Sequence, residues 1–331
     1  MVGAGMAGLT AAHRLQQQGH EVVVLEKARG AGGRMASRRH AAWRFDHGAQ
    51  YFTARDPRFI EQVEAWRERG LVEPWHGRVA VIEDGRTAAA SAETERFVAV
   101  PGMSAVCSAM ASELADCRFG WRVQSAGYDG VWRLQSPGGR TREADALVLS
   151  VPAEQVGPIL NENRAWPAIS EALGGLTMEP CWALLIVLDR PLLDEWDAAF
   201  VNQGPLAWIS NQATRPGRPA AQAWVLHASP AWSRAHLETA AEEVASLMLE
   251  AARALPGAGA FRVEYSVAHR WRYAVPQPPL EVGVLGFPEQ KLALAGDWCA
   301  GSRVEGAFLS GAAAAGCFSA RNSSRVASEQ S

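Results

Sequence analysis

Residues 3–8 read Gly3-Ala4-Gly5-Met6-Ala7-Gly8, and no other stretch constrains the fold of this chain as tightly. They lead into Leu9-Thr10-Ala11-Ala12-His13-Arg14-Leu15, a helical pattern that stops at Gly19. Glu21-Val22-Val23-Val24-Leu25-Glu26 then reads as a short buried parallel strand ending in an acid. A dinucleotide-binding unit needs a tight first turn, a backbone bare enough to approach a pyrophosphate and a close helix–strand crossing, and Gly3, Gly5 and Gly8 supply one each. The N–H groups of Met6, Ala7 and Gly8 at the helix start suit phosphate oxygens. Glu26 lies 18 residues past Gly8, close to the ~20 expected of an acid that accepts from adenosine ribose hydroxyls; Lys27 follows it. A strand of ~5 residues should precede the turn, yet only Met1 and Val2 stand there, so we expect the natural start to lie upstream.

A second glycine pair, in Arg29-Gly30-Ala31-Gly32-Gly33-Arg34, comes directly after the ribose acid. Bare backbone at Gly33 and a fixed cation at Arg34 serve another phosphate, a need that nicotinamide Rossmann domains do not normally have. The cofactor expected is FAD. The chain has 331 residues, 48% hydrophobic and 20% charged, enough for two globular domains and incompatible with a disordered or fibrous chain. With Lys+Arg 32 against Asp+Glu 35, and only Lys27 and Lys291 as lysines, no basic excess is available to hold a nucleic-acid polymer or an anionic membrane. The longest apolar run, Cys181 to Leu188, is far shorter than the ~18 residues of a membrane span. No signal peptide is expected, and five widely spaced cysteines without a C-x-x-C indicate neither a disulfide framework nor a zinc site. A reducing cytoplasm is the expected location.

Residues 101–114 read as a helix opened by Pro101-Gly102, followed by strand-like runs at Phe119–Ala126, Val131–Gln135 and Ala144–Val151. Further strand-like runs at Cys181–Leu188, Ala223–Ala228 and Arg262–His269 surround one helical stretch, Leu237 to Leu255, which predicts an antiparallel sheet with one covering helix. Lys291 to Asp297 is a strand ending in Gly296-Asp297, and a small-residue helix starts at Val304-Glu305-Gly306-Ala307.

The Gly-rich turn, the Gly33-Arg34 motif, the Gly296-Asp297 strand end and the Glu305-Gly306-Ala307 helix together resemble the flavin amine-oxidase superfamily over nearly the whole chain. The implied fold is α/β, a Rossmann-like FAD domain interleaved with an α+β substrate domain on an antiparallel sheet. Expected boundaries are 1–50, 96–156 and 286–320 for the FAD domain and 51–95 with 157–285 for the substrate domain, leaving 321–331 as a frayed tail. The resemblance implies an adenine contact near Val123, ribityl and pyrophosphate contacts at Gly296 and Asp297, and a helix N-terminus at Val304, Glu305 and Ala307 that stabilises negative charge on the reduced flavin.

A narrower resemblance, to the bacterial renalases, is carried by Gly32-Gly33-Arg34-Met35, by Phe45-Asp46-His47-Gly48-Ala49-Gln50-Tyr51-Phe52-Thr53-Ala54-Arg55, by Ala268-His269-Arg270-Trp271-Arg272-Tyr273-Ala274 and by Gly296-Asp297-Trp298-Cys299 with Arg303-Val304-Glu305-Gly306. It implies oxidation of 1,2- or 1,6-dihydro isomers of NAD(P)H by hydride transfer to flavin N5, with dioxygen as reoxidant giving H2O2 and NAD(P)+. The partners are then a dinucleotide-type small molecule and O2. Gln50 and Tyr51 are expected against the flavin; Tyr51, Phe52, Thr53, Arg55, His269, Trp271 and Arg303 are expected to bind substrate. No catalytic side chain and no metal is required, since a dihydronicotinamide gains aromaticity on losing hydride, and His47, His227 and His269 are read as structural or orienting. Amine oxidases of the superfamily place a cage ring where this chain has Arg303; the guanidinium either meets an anionic dinucleotide or is bonded to Glu305 or a backbone carbonyl. Trp271 is alternatively plain core. Cys299 does not match the attachment cysteine of amine oxidases, so FAD is expected to be non-covalent. Competing readings are an amine oxidase or polyene desaturase and, from another class, a non-catalytic FAD-binding protein.

Overall fold

A computed structural model describes residues 1–91, 94–160 and 166–319; the expected tail at 321–331 lies outside the described residues. The chain divides into two compact units. One comprises Met1–Gly33, Cys107–Met178 and the stretch from Pro276 onward; the other comprises Arg34–Val106 and Glu179–Val275. The units are interleaved, as the motif order implies, but the borders differ from the expected ones. The hairpin of Ser37–His40 with Trp43–Asp46 goes with the second unit, because Phe45 and Trp43 pack on Ala183, Leu185, Tyr265 and Val267.

The first unit is built on a sheet of very short strands. Val23–Leu25 runs parallel to Asp116–Arg118, and Leu147–Leu149 runs parallel to Leu292–Leu294, which pairs antiparallel with Leu285–Phe287. Val2 joins the two halves, bridging Leu25 on one side and Leu149 on the other. The central position of the sheet is thus held by one residue, whose N–H donates to Val148 O at 2.9 Å and whose carbonyl accepts from Ser150 N at 2.9 Å. Helix Met6–Gln17 packs against helix Val304–Gly316. Their approach is set by Gly311, where a Cβ would overlap the Ala7 carbonyl.

A three-stranded meander, Ser125–Tyr128, Trp132–Gln135 and Thr141–Ala144, completes the unit. The strand expected from Phe119 begins only at Ser125, because Gly120 N–H donates to Ala28 O and Trp121 N–H to Glu26 O, both at 2.9 Å, tying that backbone to the ribose-acid loop. The expected Ala144–Val151 strand is two elements, the end of the meander and Leu147–Leu149. Likewise the helix expected over 101–114 runs Ser104–Ser112.

In the second unit a seven-stranded sheet has the order Val263–Gln277, Thr177–Leu188, Ala223–Ala228, Leu206–Asn211, Ala198–Val201, Val79–Glu83, Arg86–Ala89. Thr177–Leu188, Ala223–Ala228, Leu206–Asn211 and Ala198–Val201 pair antiparallel in turn, as do Val79–Glu83 and Arg86–Ala89, while Ala198–Val201 and Val79–Glu83 run parallel. Both faces are covered. Trp182, Leu184, Ile186 and Leu188 point toward Val244, Met248 and Ala252 of helix Ala241–Arg253, and the alternating Ala183, Leu185 and Val187 pack under Phe45. Burial on both faces explains why Cys181–Leu188 reads as a continuous apolar run rather than an alternating one. The helical stretch expected over Leu237–Leu255 starts later, at Ala241.

Candidate functional site: a dinucleotide cradle and a buried polar cluster

In the first unit the glycine turn makes a surface of bare backbone. Gly3 has φ +102°, a left-handed conformation that favours glycine. A Cβ at Gly8 would overlap the Gly3 carbonyl and Ser150 Oγ, which is the close helix–strand crossing that the spacing calls for. Gly5 caps the Met6–Gln17 helix with no side-chain bond, leaving the amides of the first turn to an anion. Glu26 is buried and accepts from Ala4 N–H at 2.8 Å and Ala28 N–H at 2.7 Å. The two N–H groups use one lone pair on each oxygen, so the carboxylate keeps acceptor capacity for hydroxyl donors. The second glycine pair folds back on the first: Gly32 N–H donates to Ala4 O at 2.9 Å, and Gly33, at φ +52°, lies against Gly5. Val123 is buried two residues past Trp121, the residue tied to Glu26. Lys27 Nζ donates to Gln155 at 3.3 Å.

The far end of the chain returns to this unit. Gly296 N–H donates to Ser310 Oγ at 3.0 Å, Asp297 and Glu305 are buried, and Val304–Gly316 begins at Arg303 with no side-chain cap. Ala307 N–H donates to Arg303 O at 3.0 Å. A Cβ at Gly306 would overlap Gly301 O, so this turn too requires bare backbone. Two uncapped helix starts, close-packed glycines and a buried ribose acid fit FAD. Cys299 is fully buried, and burial pushes its thiol up to about 12.

In the second unit, residues from distant parts of the chain converge on Asp46. Its carboxylate, wholly buried, accepts from Arg215 at 2.7 Å, from Arg218, from Ser37 Oγ and from Met103 N–H at 3.0 Å. Burial alone would raise this carboxyl, but Arg215 and Arg218, helped by Ser37 and Met103, hold it below its ordinary value. Gln50 sits alongside. Its Oε1 accepts from Ser210 Oγ and Arg215, each at 2.7 Å, and from Gln212 at 3.2 Å, while its Nε2 donates to the Asp46 and Gly48 carbonyls. Gln212 Oε1 in turn accepts from Asp46 N–H at 3.0 Å.

Next to this network lies an imidazole–indole cluster. The His47 carbonyl accepts from Trp271 Nε1–H at 2.8 Å and from His227 Nε2 at 3.1 Å, which assigns the proton of His227 to that nitrogen. The His47 ring stacks on Trp271 at 5.1 Å and meets His269 edge-on at 4.6 Å. Burial, with His269 and His227 close by, lowers His47 to about 3, and burial lowers His227 to about 4; His269 is lowered as well, first by burial and then by Arg38. All three are neutral at neutral pH and supply no imidazolium. Gly48 abuts the Arg34 carbonyl, which also accepts from Ala49 N–H at 2.8 Å, while Arg34 itself donates to Ala274 O at 2.9 Å.

The expected substrate residues separate. Trp271 and His269 share one cluster with His47. Tyr51 is half-buried between Trp75 and Trp208, with Arg96 over its ring at 5.4 Å. Phe52 is a correction: it is 4% exposed, backbone-paired with Phe97 and packed on Phe59, so its side chain belongs to the core. Thr53 is half-buried and Arg55 exposed. Arg215, Arg218, Ser210 and Gln212, which the sequence reading did not single out, are the principal polar partners of Asp46 and Gln50. Among the described residues no group of three or more His, Cys, Asp or Glu could hold a metal, and no helix is long and apolar enough to cross a membrane.

Residues 1–65 match the NAD(P)-binding Rossmann-like domain, and residues 76–317 match the flavin containing amine oxidoreductases. A 63-residue stretch is 40% identical to the 1-hydroxycarotenoid 3,4-desaturase of Flavobacterium sp. (strain P99-3), covering 19% of this chain and 12% of that protein. A 48-residue stretch is 46% identical to a 4,4'-diapophytoene desaturase (4,4'-diaponeurosporene-forming) of Staphylococcus aureus (strain Newman), covering 14% and 10%. The likeness therefore spans only about a tenth of the length of these relatives. Among solved structures, one assigned as a protoporphyrinogen oxidase from Exiguobacterium sp. 255-15 aligns with TM-score 0.77 and 13% identity over 97% of this chain and 98% of that one. Wild-type putrescine oxidase bound to putrescine gives 0.72 and 14% over 95% and 97%. A CLA-producing fatty acid isomerase from P. acnes gives 0.73 and 13% over 96% and 97%. At these identities the likeness is one of fold.

Proposed function

The chain belongs to the flavin-containing amine oxidoreductase family, with FAD as its cofactor, and from that premise we propose that it is an oxidase of isomeric dihydronicotinamide dinucleotides, 1,2- or 1,6-dihydro-NAD(P). Arg303 carries this reading. It is exposed, its backbone is fixed by N–H donation to Gly301 O at 2.7 Å, and its guanidinium makes no hydrogen bond or ion pair among the described residues. Neither bond that could have explained it structurally, to Glu305 or to a carbonyl, is present among those residues. A free guanidinium repels a protonated amine and lacks the ring face of an amine cage, whereas it suits an electron-rich dinucleotide carrying phosphates.

Bound FAD supplies the hydride acceptor and, through dioxygen, its own reoxidation to release H2O2. The protein holds and orients. Gly3, Gly5, Gly8 and Gly33 give close backbone approach, and Glu26 takes ribose hydroxyls. The uncapped start of Val304–Gly316 would offer its positive dipole end to negative charge on the reduced flavin. No residue is asked to remove a proton; burial makes His47 and His227 weak bases, held at about 3 and about 4. Five free cysteines suit a reducing cytoplasm.

Anaerobic mixing of the holoenzyme with 1,2-dihydro-NAD(P) tests the reading. Rapid loss of the visible flavin band with formation of NAD(P)+ is expected. Bleaching only by amines or polyenes would move the assignment to an amine oxidase or desaturase, and bleaching by none of them would leave a flavoprotein without turnover.

A further inference from the structure

The second unit holds a cavity that shares no residue with the Asp46 network or the imidazole–indole cluster. It measures about 570 Å³, inside the ~300–1,000 Å³ range of small-ligand sites, and every residue lining it belongs to this one unit. Four pieces of chain meet there. They are the hairpin turn between Val79–Glu83 and Arg86–Ala89, the turn that follows Ala198–Val201, Trp232 of the short helix Pro230–Ala235, and the C-terminal end of helix Ala241–Arg253 with Ala254, Leu255 and Pro256 beyond it.

Most of the lining is apolar. Ile82 and Val201 are buried, and Trp232, Leu247 and Leu255 are half-buried. The charged part of the lining is all of one sign: Glu83, Asp84 and Glu250 are exposed beside these side chains, and no Lys, Arg or His is among the lining residues. Asn202 Nδ2–H donates to Glu83 Oε1 at 3.2 Å and Gln203 Nε2–H donates to Asp84 Oδ1, so each of these carboxylates keeps its second oxygen. None of the three acids is ion-paired among the described residues. The helix end adds to the negative potential, because the dipole of Ala241–Arg253 places partial negative charge in its last turn, and Arg253, the basic residue of that turn, sits over the Phe261 ring at 5.1 Å.

Unpaired acids occur elsewhere on this surface; these three differ in bordering one apolar cavity of ligand size. A bare metal ion gains nothing from apolar walls, an anion is repelled, and a neutral apolar molecule leaves the carboxylates unanswered. An apolar body that carries a cationic nitrogen meets both demands, and the indole of Trp232 suits such a cation as well.

We propose that this cavity binds an amphiphilic organic cation, with its apolar body against Ile82, Val201, Leu247 and Leu255 and its cationic head among Glu83, Asp84 and Glu250. The inference is independent of the dinucleotide reading.

The test is calorimetric titration of the holoenzyme with benzyltrimethylammonium, which has no N–H and so cannot be consumed by amine dehydrogenation. Binding is expected, with tetramethylammonium and benzoate each at least about tenfold weaker, since one lacks the apolar body and the other the positive charge. The triple variant Glu83→Gln, Asp84→Asn, Glu250→Gln is expected to weaken binding at least about fivefold, each exposed charge contact being worth roughly 1.4- to fivefold. Asp84 has φ +50°, a conformation that Asn tolerates, so the turn is kept. Ala251→Phe places a ring in the cavity and is expected to abolish binding, whereas Glu242→Gln, at the exposed start of the same helix, leaves it unchanged. Thermal melts identify a variant that has lost its fold, and either the charge variant or the filled cavity alone suffices. Failure of benzyltrimethylammonium to bind overturns the site, as does equal binding to wild type and both variants. Equal binding of tetramethylammonium or benzoate, or displacement of the probe by calcium alone at equal concentration, also overturns it.

Discussion

Mild acid should loosen the second unit well before its carboxylates protonate. His47 is held at about 3 and His227 at about 4, mainly by burial, whereas in the unfolded chain each titrates near 6.5. As pH falls below that unfolded value the unfolded chain takes up two protons that the folded chain refuses, so stability must fall with pH. Each histidine loses about 1.4 kcal/mol per pH unit, or about 2 kcal/mol between pH 7 and pH 5, and together about 4 kcal/mol. Against a typical domain stability of about 5–15 kcal/mol this is a large share. His269 is lowered too and acts in the same direction. Urea unfolding followed by tryptophan fluorescence at pH 7 and pH 5 reads the drop directly. His47→Gln and His227→Asn should each remove about 2 kcal/mol of it, whatever they cost at pH 7. Equal stability at the two pH values, or an unchanged drop in both variants, would refute the reasoning.

Three further outcomes follow from the same geometry. Asp46→Asn leaves Arg215 and Arg218 buried without their counter-charge and should cost about 3–5 kcal/mol at pH 7, measured as a shift in urea midpoint; because the Asp46 carboxyl is held low, its own contribution in wild type is present above about 3.9 and disappears only as pH falls through the lower folded value. Gly8→Ala drives a methyl into the Gly3 carbonyl and should release FAD at least about tenfold more readily, seen as a lower ratio of flavin to protein absorbance after gel filtration. Arg303→Gln should raise KM for 1,2-dihydro-NAD by roughly ten- to a hundredfold, the worth of one charge-assisted hydrogen bond, while leaving FAD content unchanged.

Local chemistry made the first unit legible. Gly3, Gly5, Gly8 and Glu26 lie within one turn–helix–strand, and each has a single geometric job that its residue type announces. The polar cluster around Asp46 was not legible in the same way. Asp46 and Arg215 are 169 positions apart, and Arg215 sits in a polar stretch that reads as an ordinary surface loop although it is 3% exposed. Only burial of a guanidinium distinguishes it, and burial of an arginine leaves no periodic trace. Phe52 failed for the opposite reason: it stands between plausible site residues, yet the pairing of its backbone with Phe97 turns its ring inward. The hairpin border was missed because Trp43 and Phe45 find their apolar partners in strands far downstream.

The glycine-to-carbonyl contact between helix Met6–Gln17 and helix Val304–Gly316 has a temporal side. At about 5–20 residues per second, synthesis delivers the second helix roughly 15–60 s after the first. Every strand of the seven-stranded sheet has emerged by then, while the first helix still lacks the surface that fixes it. A cofactor that needs both helix starts can therefore be captured only late in the making of each new molecule, after the sheet of the second unit has left the ribosome.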